Sequence, residues 1–257
     1  MTEKMPVLFV GHGSPMNAIE ENEFALAWTR AGEQLPRPKV ILAVSAHWET
    51  IGTKVTAMEK PRTIYDFYGF PQELYEMSYP APGKPDLVQT IRKLIQKTEI
   101  QPDMDWGLDH GTWSVLARLY PKADIPVVQI SLDRSKSPKD HYQLGEQLKE
   151  LREEGVLIIS SGNIVHNLRM VKFDDSLKFG WAEDFDKQVK ELILSGDHDP
   201  LIQYEKLGQA AQLSINSAEH YIPLLYTLGL KNDDDAISFF ADRVTYGSLS
   251  MRSVRFG

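Results

Sequence analysis

A layered α/β fold is predicted by three features of this 257-residue chain: short apolar runs, helix-period stretches between them, and turn residues separating the two. The runs at 7–10, 40–44, 127–130 and 156–159 are rich in Val, Ile and Leu and read as buried strands, with a later strand at 237–240. Between them, 22–35, 86–97, 112–120, 141–154 and 182–194 carry helical spacing. Ser137-Pro138 opens the fourth helix with proline at a favoured first position, and Gly155 follows Glu154 where a terminating glycine belongs. The segment 60–85 lacks clean periodicity and carries Pro61, Tyr65, Phe67, Tyr68, Phe70, Tyr75 and Tyr79. So many large aromatics predict a long ordered loop covering something, as a functional lid or a plain structural cover. Without repeats, low-complexity tracts or Gly/Ser linkers, residues 1–257 read as a single domain. The acidic run Asp233-Asp234-Asp235 reads as a solvated turn before a strand.

Composition removes several classes of function. Lys and Arg number 28 against 36 Asp and Glu, a net charge of −8, which argues against nucleic acid as a partner. With no cysteine, disulfides, thiolate metal sites, iron–sulfur clusters and a cysteine nucleophile are excluded, so any metal uses His or carboxylate. The apolar stretch at 6–10 is too short for a secretory core or a membrane span, so no membrane association and a cytoplasmic location are expected. No G-x-S-x-G, G-x-G-x-x-G, G-x-x-x-x-G-K-[ST] or H-E-x-x-H motif occurs.

Histidine remains. Of the seven, His12, His47 and His166 each follow a predicted strand: Val7-Leu8-Phe9-Val10-Gly11-His12, Val40 onward to Ser45-Ala46-His47, and Val156 onward to Gly162-Asn163-Ile164-Val165-His166. Ligand crevices in open α/β sheets lie outside the carboxyl ends of strands, so three such histidines converge if the strands are parallel neighbours. Neutral imidazoles are the usual ligands of first-row metals, and glycines beside His12 let backbone approach a bound atom. His110, in Asp109-His110-Gly111, leads into the helix 112–120, at a terminus whose dipole favours a neutral ring. His220 precedes Leu224 and Leu228 at helical spacing and is expected to face inward. Glu219 falls three residues after Asn216, as in a capping box, and on a helix would diverge from His220 by about 100°. His141 and His198 read as surface residues.

Taken together, Gly11-His12-Gly13-Ser14-Pro15-Met16-Asn17, Ser45-Ala46-His47-Trp48, Asp109-His110-Gly111, Gly162-Asn163-Ile164-Val165-His166-Asn167 and Glu219-His220-Tyr221 resemble the class III extradiol ring-cleavage dioxygenases, specifically their DOPA branch. The resemblance spans nearly the whole chain, with five blocks in the same order. It implies a three-layer α/β/α sandwich around a mostly parallel mixed sheet. It also implies a mononuclear non-haem Fe(II) in the active form, Zn(II) in isolated preparations, and a catechol and O2 as reactants. His12 and His47 match the histidine ligands. The wider class adds a glutamate; the corresponding region here offers Glu219-His220, and in the DOPA branch the histidine serves. His166 sits in the block resembling the catalytic-base segment and is grouped with the metal residues, while His110 matches the acid–base residue.

The implied reaction is ring cleavage beside the two hydroxyls of a catechol such as DOPA, giving a muconate semialdehyde. A base with pKa near 7, His166 or His110, suits removal of the catechol protons. A zinc hydrolase using the same histidines is the alternative, and a non-catalytic ligand-binding protein of the same fold is a third.

Overall fold

The computed structural model describes residues 4–257. Ten strands are assigned among them: β1 Val7–Gly11, β2 Val40–Thr50, β3 Thr53–Thr56, β4 Ile100–Asp103, β5 Val127–Asp133, β6 Val156–Gly162, β7 Ile237–Phe240, β8 Val244–Thr245, β9 Leu249–Ser250 and β10 Ser253–Phe256. The α-helices of the same residues are α1 Glu23–Gln34, α2 Gln72–Glu76, α3 Leu87–Leu94, α4 His110–Leu119, α5 Pro138–Gln147, α6 Gly180–Ser195, α7 Asp199–Ile202, α8 Gln209–Ser214 and α9 Ile222–Leu230.

Eight strands form one sheet in the order β4-β3-β5-β2-β6-β1-β10-β7. Its centre is parallel, β5 to β2, β2 to β6 and β6 to β1, while β10 runs antiparallel to β1 and β7, and β3 antiparallel to β5. The expected mostly parallel mixed sheet is therefore observed. Its central strands read as unbroken apolar runs because both faces are covered. Val7, Phe9, Leu42, Val44 and Ile158 point into one core with α3, α5, α6 and α9; Leu8, Val10, Ile41, Ala43 and Ile159 point into the other with α1 and α4. Alternate residues of one strand serve opposite layers, which is the three-layer sandwich.

Helix ends follow the local chemistry. Asn22 caps α1 by accepting from the amides of Phe24 and Ala25. Ser137 and Asp140 form a reciprocal capping box at α5, with Pro138 at its start. That helix ends at Gln147, and 149–152 tighten into a 3-10 turn before Gly155 at φ 87°, so the stretch expected as one helix over 141–154 is two pieces. Strands β3, β4 and β10 escape the sequence reading because each has only four residues and carries polar or charged side chains.

Two expectations are corrected here. Asp235 is not solvated: its carboxylate meets Arg152, whose guanidinium is fully buried and also donates to the carbonyls of Met5 (2.8 Å) and Leu230 (2.8 Å). Although burial works against it, hydrogen bonding from Arg152 and the amide of Asn232 holds the Asp235 carboxyl down at about 2. His141 is likewise buried, its Nδ1 3.2 Å from the Tyr226 hydroxyl, and His198 is half-buried with Nδ1 3.1 Å from the Tyr142 hydroxyl. Their charged neighbours in sequence say nothing about partners that arrive from other helices.

Candidate metal centre

The parallel strands β2, β6 and β1 bring their carboxyl ends together, and the expected histidines gather there. His12 follows β1 and donates its backbone N–H to the Gly162 carbonyl at 3.0 Å. His47 lies inside the long β2, where pairing with β5 breaks register between Val44 and Glu49. His110 is the first residue of α4, whose N-cap Asp109 accepts from the amide of Thr112. His166 lies four residues beyond β6, its N–H bonded to the Ser214 carbonyl at 2.9 Å. His220 precedes α9, and its carbonyl packs so closely on Gly162 that a β-carbon there would collide with it.

The rings of His12, His47 and His220 form a near-equilateral triangle with centroids 5.0, 5.0 and 5.2 Å apart. One nitrogen from each lies within 4.8 Å of the other two, a group able to hold a metal ion. His110 sits 3.9 Å from His47 by ring centroid, and His166 stacks on His220 at 3.5 Å with the rings 6° from parallel. Two overlapping groups extend the cluster: His47, Asp66 and His110, and His166, Glu219 and His220. All five sequence-selected histidines thus share one cluster, with His166 and His110 flanking the triangle on different sides.

Hydrogen-bond partners set how these rings face inward. The Ser161 hydroxyl donates to the Gly111 carbonyl at 2.5 Å, so its oxygen accepts at 2.9 Å from His12 Nδ1–H and leaves His12 Nε2 with a lone pair. His47 Nδ1 faces Asp66 Oδ2 at 3.4 Å, and His220 Nδ1 lies 3.1 Å from Glu219 Oε1, itself bonded to the Ser217 hydroxyl. The Nε2 atoms of His12 and His47 approach to 3.1 Å, a spacing that a hydrogen bond fills when one of them carries a proton and that a shared cation fills when neither does. Three neutral imidazoles, each backed by an acceptor, suit a first-row divalent metal in a chain without thiolates.

Electrostatics favour neutral rings. Burial is the largest cause in each case, lowering His12 and His220 well below the ordinary imidazole value, His47 to about 3 and His166 to about 4. Neighbouring rings add to this: His47 on His12, His110 on His47, and His166 on His220. Burial pushes the Asp109 carboxyl up, and the charge of Asp66 pushes it further. Burial also acts to raise Asp66, but His110 and His47 more than offset it and leave the carboxyl below its usual value.

A base whose folded pKa lies below its unfolded value binds fewer protons when folded, so stability rises with pH between the two values. The metal-free protein is therefore expected to hold full stability above about pH 6.5 and to lose it progressively as the pH falls toward 4. Buried His141, pushed by burial from 6.5 to about 4, alone accounts for about 3 kcal/mol across that window. Urea unfolding at pH 7.5 and pH 5 reads this directly; equal midpoints would contradict it.

Two details differ from the sequence reading. Glu219 and His220 do not diverge on a helix, because 216–221 form bends and turns and α9 begins only at Ile222; the turn brings Glu219 Oε1 onto His220 Nδ1, and no capping box forms with Asn216. The glycines beside His12 also have a packing role that the sequence reading did not give them: a β-carbon on Gly11 would meet the Met251 backbone at 2.7 Å, and one on Gly13 its sulfur. The segment 60–85 does cover the cluster: Phe67 meets His110 edge-on at 5.5 Å and packs with Tyr75 and Trp113, whereas Tyr68 is 91% exposed. Asp66, which the sequence reading passed over, comes from this segment. Its only signal was a carboxylate set among aromatics.

The chain matches the model of a family described as the catalytic LigB subunit of aromatic ring-opening dioxygenase over residues 6–257. It is 48% identical over 259 residues to an Escherichia coli K12 protein named 4,5-DOPA dioxygenase extradiol, covering 99% of this chain and 95% of that one. A Beta vulgaris protein of the same name is 34% identical over 96% of this chain and 95% of its own length. A crystal structure of an uncharacterized Escherichia coli K12 protein superposes with a TM-score of 0.86 at 44% identity, over 98% of this chain and all of that one.

Proposed function

Because the chain belongs to the LigB family of aromatic ring-opening dioxygenases, we propose that it cleaves a catechol of the DOPA type in the extradiol manner at a single metal held by His12, His47 and His220. The observation that carries this is the convergence of those three imidazole nitrogens within 4.8 Å. His166, stacked on His220, stands at the edge of the group, where its ring nitrogen can serve as a further donor or accept a catechol proton. Fe(II) would be the active ion in this reading, since it would supply the redox couple that a reaction with O2 needs, whereas Zn(II) has no redox chemistry. Residues 1–257 act as one catalytic domain, and the sequence reading points to the cytoplasm.

The protein's own groups divide the remaining work. The aromatic wall of Phe67, Tyr75 and Trp113 supplies a flat apolar surface beside His110 against which an aromatic ring can lie. The ring of His166 or that of His110 accepts the proton a catechol hydroxyl must lose to bind through oxygen; burial lowers His166 to about 4, which keeps its ring neutral but makes it a weaker base than the value near 7 expected from the sequence. His110 Nδ1 lies 3.0 Å from Asp66 Oδ1, which leaves Nε2 as the atom that would take a catechol proton and return the same proton during ring cleavage. Both oxygen atoms of O2 enter the product, as the carboxylate and aldehyde of a muconate semialdehyde, and the ring bond next to the two hydroxyls is the one broken.

Protein reconstituted anaerobically with Fe(II) is expected to consume O2 on L-DOPA or a simple catechol and to form a yellow ring-opened product, and the Zn(II)-loaded protein is not. Oxygen uptake with product absorbance measures both. No uptake by the iron form on any catechol would reject the reading, and ester or amide hydrolysis by the zinc form under anaerobic conditions would replace it.

A further inference from the structure

We infer that Asp66 is a positioning residue that fixes the orientation of two histidines with one carboxylate: His47 of the proposed metal group and His110, the proposed proton carrier. This rests on the reading of the cluster as a metal site, and the tautomer measurement below is chosen to stand without it. Asp66 Oδ1 accepts from the His110 backbone N–H at 2.9 Å and lies 3.0 Å from His110 Nδ1; Oδ2 lies 3.4 Å from His47 Nδ1. The approaches to His110 Nδ1 and His47 Nδ1 are close contacts rather than aligned hydrogen bonds, so the backbone bond is what anchors the carboxylate. A carboxylate only accepts, so its negative charge beside each Nδ1 favours the Nδ1–H form of each ring, with Nε2 turned away from it. For His47 that is the nitrogen facing His12 at 3.1 Å. Partners on the second nitrogen of a ligating imidazole commonly set its tautomer and tilt.

The segment bearing Asp66 is itself held in place. Arg62 and Ile64 pair with Leu108 through two backbone bonds of 2.8 Å, and Trp113 Nε1 donates to the Ile64 carbonyl at 2.8 Å. The same Leu108 leads within two residues into His110, so loop and helix start are registered against each other. With the His47 and His110 ring centroids only 3.9 Å apart, one acceptor between their Nδ1 atoms keeps both rings in a single arrangement.

Asp66→Asn separates this role from a merely structural one. Asparagine still offers an oxygen to the His110 backbone N–H, so capping of α4 survives, but it presents an NH2 group where a ring needs an acceptor. In the metal-free protein, long-range 1H–15N spectra of the imidazoles are expected to show His47 as the Nδ1–H tautomer in the wild type and not in Asp66→Asn. Co(II) binding, measured by competition with a chelator, is expected to weaken by about 10–100-fold with Tm kept, and Asp66→Glu to recover part of the loss. Wild-type tautomers together with wild-type Co(II) affinity in Asp66→Asn would overturn the inference, as would an Nε2–H tautomer for His47 in the wild type. If the wild type bound no Co(II) at all, the metal reading would fall, and the tautomer comparison would still decide the role of Asp66.

Discussion

His12→Ala and His47→Ala are each expected to leave protein that folds but retains no stoichiometric metal, with catechol-dependent oxygen uptake lowered by about 10³-fold or more, since a metal contributes several kcal/mol at the reacting oxygens. The two residues hold equivalent corners of the triangle, with Nε2 atoms 3.1 Å apart and each Nδ1 facing an acceptor. Removing either leaves two nitrogens where three converged. His198→Ala is the matched control, because that ring lies outside the cluster, against Tyr142. Metal content by emission spectroscopy and oxygen uptake on the same samples are the measurements. A His12→Ala protein that keeps both metal and turnover would show that the triangle is not the metal site.

The parts of this arrangement legible in the sequence were those carried by strands. A strand buried on both faces writes itself as an apolar run, and a histidine just past such a run stands at the carboxyl edge of the sheet; His12 and His166 were found this way. His47 was found by the same rule although β2 runs on past it to Thr50, since the register break at 44–49 turns the chain locally. What stayed hidden depends on partners distant in sequence. Asp66 lies in an aperiodic loop and gains its meaning from His110, 44 positions away. Asp235 looked solvated because Arg152, 83 positions earlier, is invisible to local patterning. Glu219 was misread because the leucines after His220 suggested a helix already under way, whereas Pro223 stands in the first turn of a helix that begins at Ile222. Local periodicity fixes which face is buried; it carries no information on which two loops meet at the end of a sheet.

That distinction matters most for His110, whose neighbours are all brought from elsewhere. The residue is 6% exposed, its ring set between His47 and Phe67, with Asp66 behind Nδ1. It is absent from the His12, His47 and His220 group yet belongs to a second group with His47 and Asp66, so the geometry offers it two different roles. As a proton carrier, His110 contributes to turnover without holding the metal. His110→Ala is then expected to keep its metal and a KM close to that of the wild type, and to lower kcat by about 10²–10⁴-fold, the usual range for loss of a general acid–base group. The backbone N–H that bonds Asp66 remains in the variant, as does the Asp109 cap, so α4 still forms. As a ligand instead, the same substitution would release metal and activity together. Metal content and the split between kcat and KM, measured on one preparation, separate the two: activity lost with metal retained supports the carrier, and loss of both moves His110 into the metal group. An unchanged kcat would remove it from the chemistry altogether and leave His166 as the base.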